Sequence, residues 1–172
     1  LGTTPQPPNV DAAVAVSVPF DLDRCADRLN AGLSRIYQQR FLQTLHRKYR
    51  EKHPEETLYD YRTLREWDDA VTAPLHGFTD AADYYAQSSC GQYLSTIQCP
   101  TLIIHAKDDP FMTADTIPRD SHLSAQVTLE ISETGGHVGF VDGPLWNPRY
   151  YLERRIPQFI LSETPNTTSG DI

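Results

Sequence analysis

Residues Gly135-Gly136-His137, with Gly139 two positions further on, set a histidine among glycines. A histidine needed only for packing gains nothing from such neighbours. A ring that has to leave a strand and reach another group does, because glycine accepts positive φ and allows close backbone approach. The acids available to it are Asp108 and Asp109, which with Pro110 make a turn signal after an apolar run. An aspartate that accepts a hydrogen bond from imidazole Nδ1 fixes the tautomer and leaves Nε2 as a general base. Spacing alone keeps other readings open: Asp-Asp-Pro is a common turn, and a lone loop histidine is often surface decoration. His105, inside the apolar run, reads as a core histidine. A metal site built from His105, Asp108, Asp109 and His137 has nothing in its spacing to enforce ligand geometry, so neither a metal nor a cofactor is expected.

The elements that must position these residues follow from hydrophobic period. Ala12–Val18 and Thr101–Ala106 are short apolar runs, as in strands buried on both faces of a parallel sheet. "QVTLEIS" alternates Val127, Leu129 and Ile131, which suits a strand nearer the sheet edge. Between the first two strands, Leu29, Leu33, Ile36 or Tyr37, Phe41, Leu45 and Tyr49 predict one amphipathic helix from Asp21 to His53-Pro54. Arg35, Gln39, Gln43 and Arg47 fall on its wet side. Arg47, Lys48, Arg50 and Lys52 at its end read as a solvated cluster favouring the helix dipole rather than an anion site. Thr63 and Glu66 have capping-box spacing, and Pro74 is expected to end that helix. Thr79 is the expected cap of the next one. Asn147-Pro148 reads as a helix start, with Pro157 as a kink. Strands separated by helices imply an α/β architecture of about three mostly parallel strands with flanking helices. An acid after one strand and a histidine after the next would then meet beyond the carboxyl ends.

Composition bounds the function. A hydrophobic share of 39% and a charged share of 22% suit a globular domain, and a net charge of −8 disfavours nucleic acid. No apolar run approaches the roughly 20 residues of a membrane span. Cys25, Cys90 and Cys99 lack CxxC spacing, which argues against a disulfide framework and points to a reducing cytoplasm. Neither a signal peptide nor an initiator Met opens the chain, so a processed or excerpted polypeptide is expected.

"CPTLIIHAKDDPFM" followed by "ISETGGHVGFVDG" resembles the last third of α/β-hydrolases. More narrowly, these segments with "DAAVAVSVPFDLDRCADRLN" and "RTLREWDDAVTAPLHGFTDAADYY" resemble the bacterial YheT-like branch of esterases, over about Asp11 to Ile160. The resemblance implies a G-x-x-D acid at a strand end, here Ala106-Lys107-Asp108-Asp109 with alanine replacing glycine. It therefore selects Asp109 as the acid, leaves Asp108 as neighbour or turn former, and places the family histidine on His137. Helices from about 22 to 98 correspond to the cap-forming insertion, residues 1–10 to a lead-in and 164–172 to a disordered tail, with hydrolase sequence over 11–163. Phe20, Phe111, Met112 and Phe140 fall near the expected crevice and could line an apolar acyl pocket, although core packing explains them equally well.

The departure from the family is the nucleophile. No G-x-S-x-G elbow occurs; Ser17 and Ser88-Ser89-Cys90-Gly91 do not supply one. The expectation is the C-terminal part of an α/β-hydrolase fold, from a parent serine hydrolase cleaving small carboxylic esters by acyl transfer. Alone, the chain would be a very poor esterase or inactive. The alternative is a non-catalytic or self-associating module, in which the free edge of the first strand pairs with a second copy or with the missing half.

Overall fold

A computed structural model of the chain describes residues 9–57 and 59–164. Most of the expected lead-in, and the tail from residue 165, lie outside the described residues. In chain order the elements are β1 (Ala13–Val16), α1 (Leu22–Leu29), α2 (Ser34–Lys52), α3 (Leu64–Trp67), α4 (Ala73–Leu75), α5 (Ala81–Ser88), β2 (Thr101–Ala106), β3 (Val127–Ser132), β4 (Val141–Asp142), β5 (Arg149–Tyr150) and α6 (Tyr151–Glu163). They form two compact units. One comprises residues up to Phe20, Cys90–Asp109 and the chain from Ile117; the other comprises Asp21–Ser89 and Pro110–Thr116.

The first unit is an α/β layer around a parallel sheet of order β1-β2-β3. Ala13 pairs with Thr101, and Thr101 with Val127, so the three strands run in step toward the same end. Every residue of β2 is buried, as its uninterrupted apolar run requires of a central parallel strand. Alternation then sorts its side chains. Ile103 packs with Phe20, Leu94, Ile97 and Val127 on one face. Leu102, Ile104 and Ala106 pack with Phe140 and with Phe159 of α6 on the other.

Helix α6 begins later than Asn147-Pro148 suggests. Arg149 and Tyr150 instead pair antiparallel with Val141 and Asp142, and the connection turns at Gly143 with φ +89°. Pairing with β4 holds the chain extended up to Tyr150, so helix cannot start at the proline. Pro157 sits inside α6, which continues through it as one helix.

The second unit is helical. The single helix expected from Asp21 to His53 is two, because Asn30 caps α1 and Gly32 adopts φ +55° before α2 begins. The first half of its expected apolar stripe is not its buried face, whereas Leu45 and Tyr49 in the second half pack against the core of Trp67 and Val71. Leu33 is 83% exposed and Ile36, Tyr37 and Phe41 are exposed, whereas Ser34, Gln38 and Leu42 are buried. Satisfied polar groups explain the reversal. Ser34 Oγ donates to the Pro110 carbonyl (2.6 Å), and the Gln38 amide donates to Asn30 Oδ1 (3.3 Å) and accepts from Leu64 N (3.2 Å). Leu42 packs on Trp67 and Val71.

Thr63 and Glu66 form the full capping box that starts α3. The chain then stays helical through a π turn at Asp68–Thr72 into α4. Helix α4 ends at Leu75, one residue after Pro74, close to where the proline was expected to end it. The cap of α5 is Asp80, whose carboxylate accepts from Asp83 N, and not Thr79.

Cutting Ile104 to alanine removes apolar atoms from the centre of the sheet. The expected loss is roughly 2–5 kcal/mol, read as a lower urea midpoint at unchanged slope.

Candidate active site

Parallel strands deliver their carboxyl ends to one side, and three loops leave the sheet there. After β1, Ser17 adopts φ +52°; its N–H donates to the Ile104 carbonyl (2.9 Å) and its hydroxyl donates to the carbonyl of His137. After β2, Lys107 N donates to the Ser132 carbonyl (2.9 Å), and the chain turns back with Asp109 N on the Ala106 carbonyl (3.3 Å). After β3 comes the glycine-flanked loop. Segments remote in sequence are thus tied together by named hydrogen bonds.

His137 Nδ1 lies 2.8 Å from Asp109 Oδ2. An ionised carboxylate only accepts, so Nδ1 carries the proton and donates, which makes Nε2 the basic nitrogen. The Asp109 side chain is fully buried, whereas that of His137 is 33% exposed. A buried carboxylate is tolerable only when paired, and this one is held from inside while the ring keeps a solvent-facing part. Asp108, the exposed neighbour, holds the same loop by its backbone. Its Oδ1 accepts from Gly135 N (2.9 Å) and Gly136 N (2.8 Å). The two adjacent acids therefore divide the work: one fixes the loop, the other fixes the ring.

The two glycines are needed for different reasons. A Cβ on Gly135 would stand 2.8 Å from the Phe140 ring and 3.0 Å from Ala106 Cβ. Gly136 has open space around it but adopts φ +59°, a conformation side chains rarely take. Phe140 closes the turn, with its N–H on the Gly135 carbonyl (2.9 Å).

His105 lies in β2 on the same face as Ile103, with its ring edge-on to Phe20 at 5.3 Å between centroids. It is buried, and among the described residues its Nδ1 has no partner. Burial pushes its pKa below the ordinary 6.5; the Asp109 carboxylate opposes this and the His137 ring adds to it.

Of the four apolar residues expected to line a pocket, two belong to the sheet unit and two to the helical one. Phe20 and Phe140 lie in the cores on opposite faces of the sheet. Phe111 belongs to the helical unit, edge-on to Tyr37 and Phe41, as does Met112, which is buried. Among the described residues, no group of three or more His, Cys, Asp or Glu is placed to hold a metal ion. Sequence reasoning left two contributors without a role. Asp108 read as a turn former, though an acid beside the acid, opposite a Gly-Gly pair with free amides, is a signal for loop capture. Ser17 read only as a polar residue after the first strand, without the elbow of a nucleophile.

A three-stranded parallel sheet with helices on its faces makes the chain an α/β protein with a partial α/β-hydrolase fold. No family model matches the chain, and no solved structure matches it significantly. Among curated proteins, it is 45% identical over 160 residues to "Putative esterase YheT" of Escherichia coli (strain K12), covering 88% of this chain and 47% of that protein. It is 33% identical over 155 residues to a monoacylglycerol lipase of Saccharomyces cerevisiae (81% of this chain, 34% of that protein). It is 30% identical over 160 residues to phospholipase ABHD3 of Mus musculus (87% and 38%). Over this shared region the chain belongs to the α/β-hydrolase family. It spans about half the length of the first of these relatives and about a third of the others.

Asp108→Ala removes one acceptor from two amides. Hydrogen exchange at Gly135 and Gly136 should accelerate by about tenfold or more, while Ile103 in β2 keeps its protection. His105 has a folded pKa below its unfolded one, so the unfolded chain binds more protons in that window. Stability is therefore full above about pH 6.5 and falls as pH drops through it. Urea midpoints from pH 7.5 to 5 should show this fall, and His105→Asn should flatten it.

Proposed function

We propose that Asp109 and His137 are the acid and general base of a serine-hydrolase relay. In this reading the chain supplies them to a carboxylic ester hydrolase whose nucleophilic serine lies outside these 172 residues. The observation that carries the reading is the 2.8 Å contact between a fully buried carboxylate and the Nδ1 of a partly exposed imidazole. The names of the relatives (esterase, lipase, phospholipase) support hydrolysis of ester bonds.

The chemistry follows from the proton positions. Nε2 takes the serine proton as the hydroxyl oxygen attacks the ester carbonyl, and returns it to the departing alcohol as the acyl-enzyme forms. Water then attacks the acyl-enzyme by the same route, freeing the acid and restoring the serine. Asp109 holds the ring and stabilises the imidazolium in both halves. Asp108 is a positioning residue, because it reaches the ring only through the loop. No step needs a cofactor. Without a nucleophile and oxyanion donors the pair cannot make an acyl-enzyme, so the 172 residues alone are expected to be inactive. The helical unit is assigned as the cap-forming insertion of the hydrolase, and a reducing cytoplasm as its compartment.

A second reading is favoured by one observation: among the described residues β1 pairs with β2 alone. An open parallel edge invites another strand, from the rest of the hydrolase or from a second copy. Size-exclusion chromatography at micromolar concentration separates the two. A clean monomer removes the self-associating copy.

In the complete hydrolase, His137→Ala or Asp109→Asn should lower kcat on p-nitrophenyl esters by about 10³-fold or more with little change in KM. Near-normal turnover in the His137 variant would end the relay assignment. Ester turnover by the 172-residue chain that vanishes in His137→Ala would end the claim that the nucleophile lies elsewhere.

A further inference from the structure

We infer that the groove between α2 and residues 60–62 binds a phosphate-bearing ligand. Arg35, Gln39, Leu42, Gln43, His46, Arg47 and Arg50 recur at three- and four-residue steps, so they share one face of α2. That face extends about 22 Å from first to last residue at the helical rise. Asp60, Tyr61 and Arg62 form the facing wall, and Glu51 completes the lining. The groove is open to solvent and measures about 930 Å³, near the upper end of small-ligand sites.

Its charge is what sets it apart. Four guanidiniums line a groove with two carboxylates, in a chain of net charge −8. Of the eight arginines outside the groove, four find acids: Arg24 with Asp21 and Asp115, Arg65 with Asp23, Arg149 with Asp142, Arg155 with Glu130. Among the described residues, Arg35, Arg47, Arg50 and Arg62 have no such ion pair, although Glu51 and Asp60 line the same groove. Lys48 and Lys52, on the same helix, lie outside the lining. Arginine presents a planar fork that grips phosphate oxygens in pairs, which lysine cannot do.

The base of the groove adds a second signal. His46 stacks toward Tyr61 and Trp67 (centroids 6.0 and 4.9 Å), and its Nε2 is buried with no partner among the described residues. A buried ring nitrogen left unsatisfied is costly, and an occupant reaching the base would satisfy it. The Tyr61 ring offers apolar surface for an organic body, and the Gln39 and Gln43 amides offer hydrogen bonds to its hydroxyls. The ligand class is thus a phosphoester with an organic part, free in solution or as the headgroup of an anionic phospholipid.

This inference uses the helical unit alone and is read by binding, so it stands or falls separately from the Asp109–His137 relay. Titration calorimetry of the chain with glycerol 3-phosphate at low salt, with sedimentation on phosphatidylcholine vesicles with and without phosphatidic acid, tests it. Saturable binding of either probe is expected, weakened at least tenfold in the double variant Arg47→Gln/Arg50→Gln and unchanged in Arg154→Gln on α6. Binding of glycerol 3-phosphate alone identifies the soluble source; binding to phosphatidic acid vesicles identifies the lipid source. The inference is overturned if neither probe binds, if the double variant binds as wild type, or if Arg154→Gln weakens binding equally. These arginines make no ion pair among the described residues, so the variants should keep the wild-type melting temperature, and that control separates lost binding from lost fold.

Discussion

One turn with two consecutive carboxylates governs the geometry at the sheet's end. Asp109 is driven inside by the close of β2, and a charge so placed has to find a donor. His137 is that donor. Asp108, one residue earlier and outside, captures the amides that precede the same histidine. Backbone and ring are fixed by different acids on one rigid support, so the imidazole has little freedom of either position or rotation. The sheet supplies the rigidity: β2 is buried on every residue and paired on both sides.

Glycine is the complement of that constraint. The loop comes so close to Ala106 and Phe140 that Gly135 has no room for a side chain, and the chain reverses at Gly136 through a left-handed conformation. The bracket around His137 is a consequence of how near the loop must pass to the strand it serves. Ser17 adds a third tie, from β1, through the His137 carbonyl.

Much of this was legible in the residues, and the failures have physical causes. Apolar runs located the three strands of the parallel sheet, because a buried parallel strand leaves few other patterns. The rule that parallel strands end together brought an aspartate after one strand toward the histidine after the next, and the resemblance to α/β-hydrolases, not the spacing, selected Asp109. The helices were harder. The apolar stripe on α2 held at Leu45 and Tyr49 but pointed to the wrong face in the first turns, because buried Ser34 and Gln38 find hydrogen-bond partners that periodicity cannot register. Asn30 and Gly32 were read as part of a helix that they in fact break. The start of α6 was misplaced because Arg149 and Tyr150 are claimed by a two-residue ladder too short to leave a pattern. Phe20 and Phe140 share an apolar character, but strand alternation sends the packing they join to opposite sides.

The hydroxyl of Ser17 and the carbonyl of His137 stand 120 positions apart along the chain, while the helical cores that fall between β1 and β2 join residues no further apart than Leu22 and Tyr85. Closing so long a loop costs entropy before any contact repays it. Helices can therefore organise early, and the strand ends acquire their arrangement only when the most distant segments have met. The topology sets an order of closure: shorter loops first, the tie from Ser17 to the His137 carbonyl last.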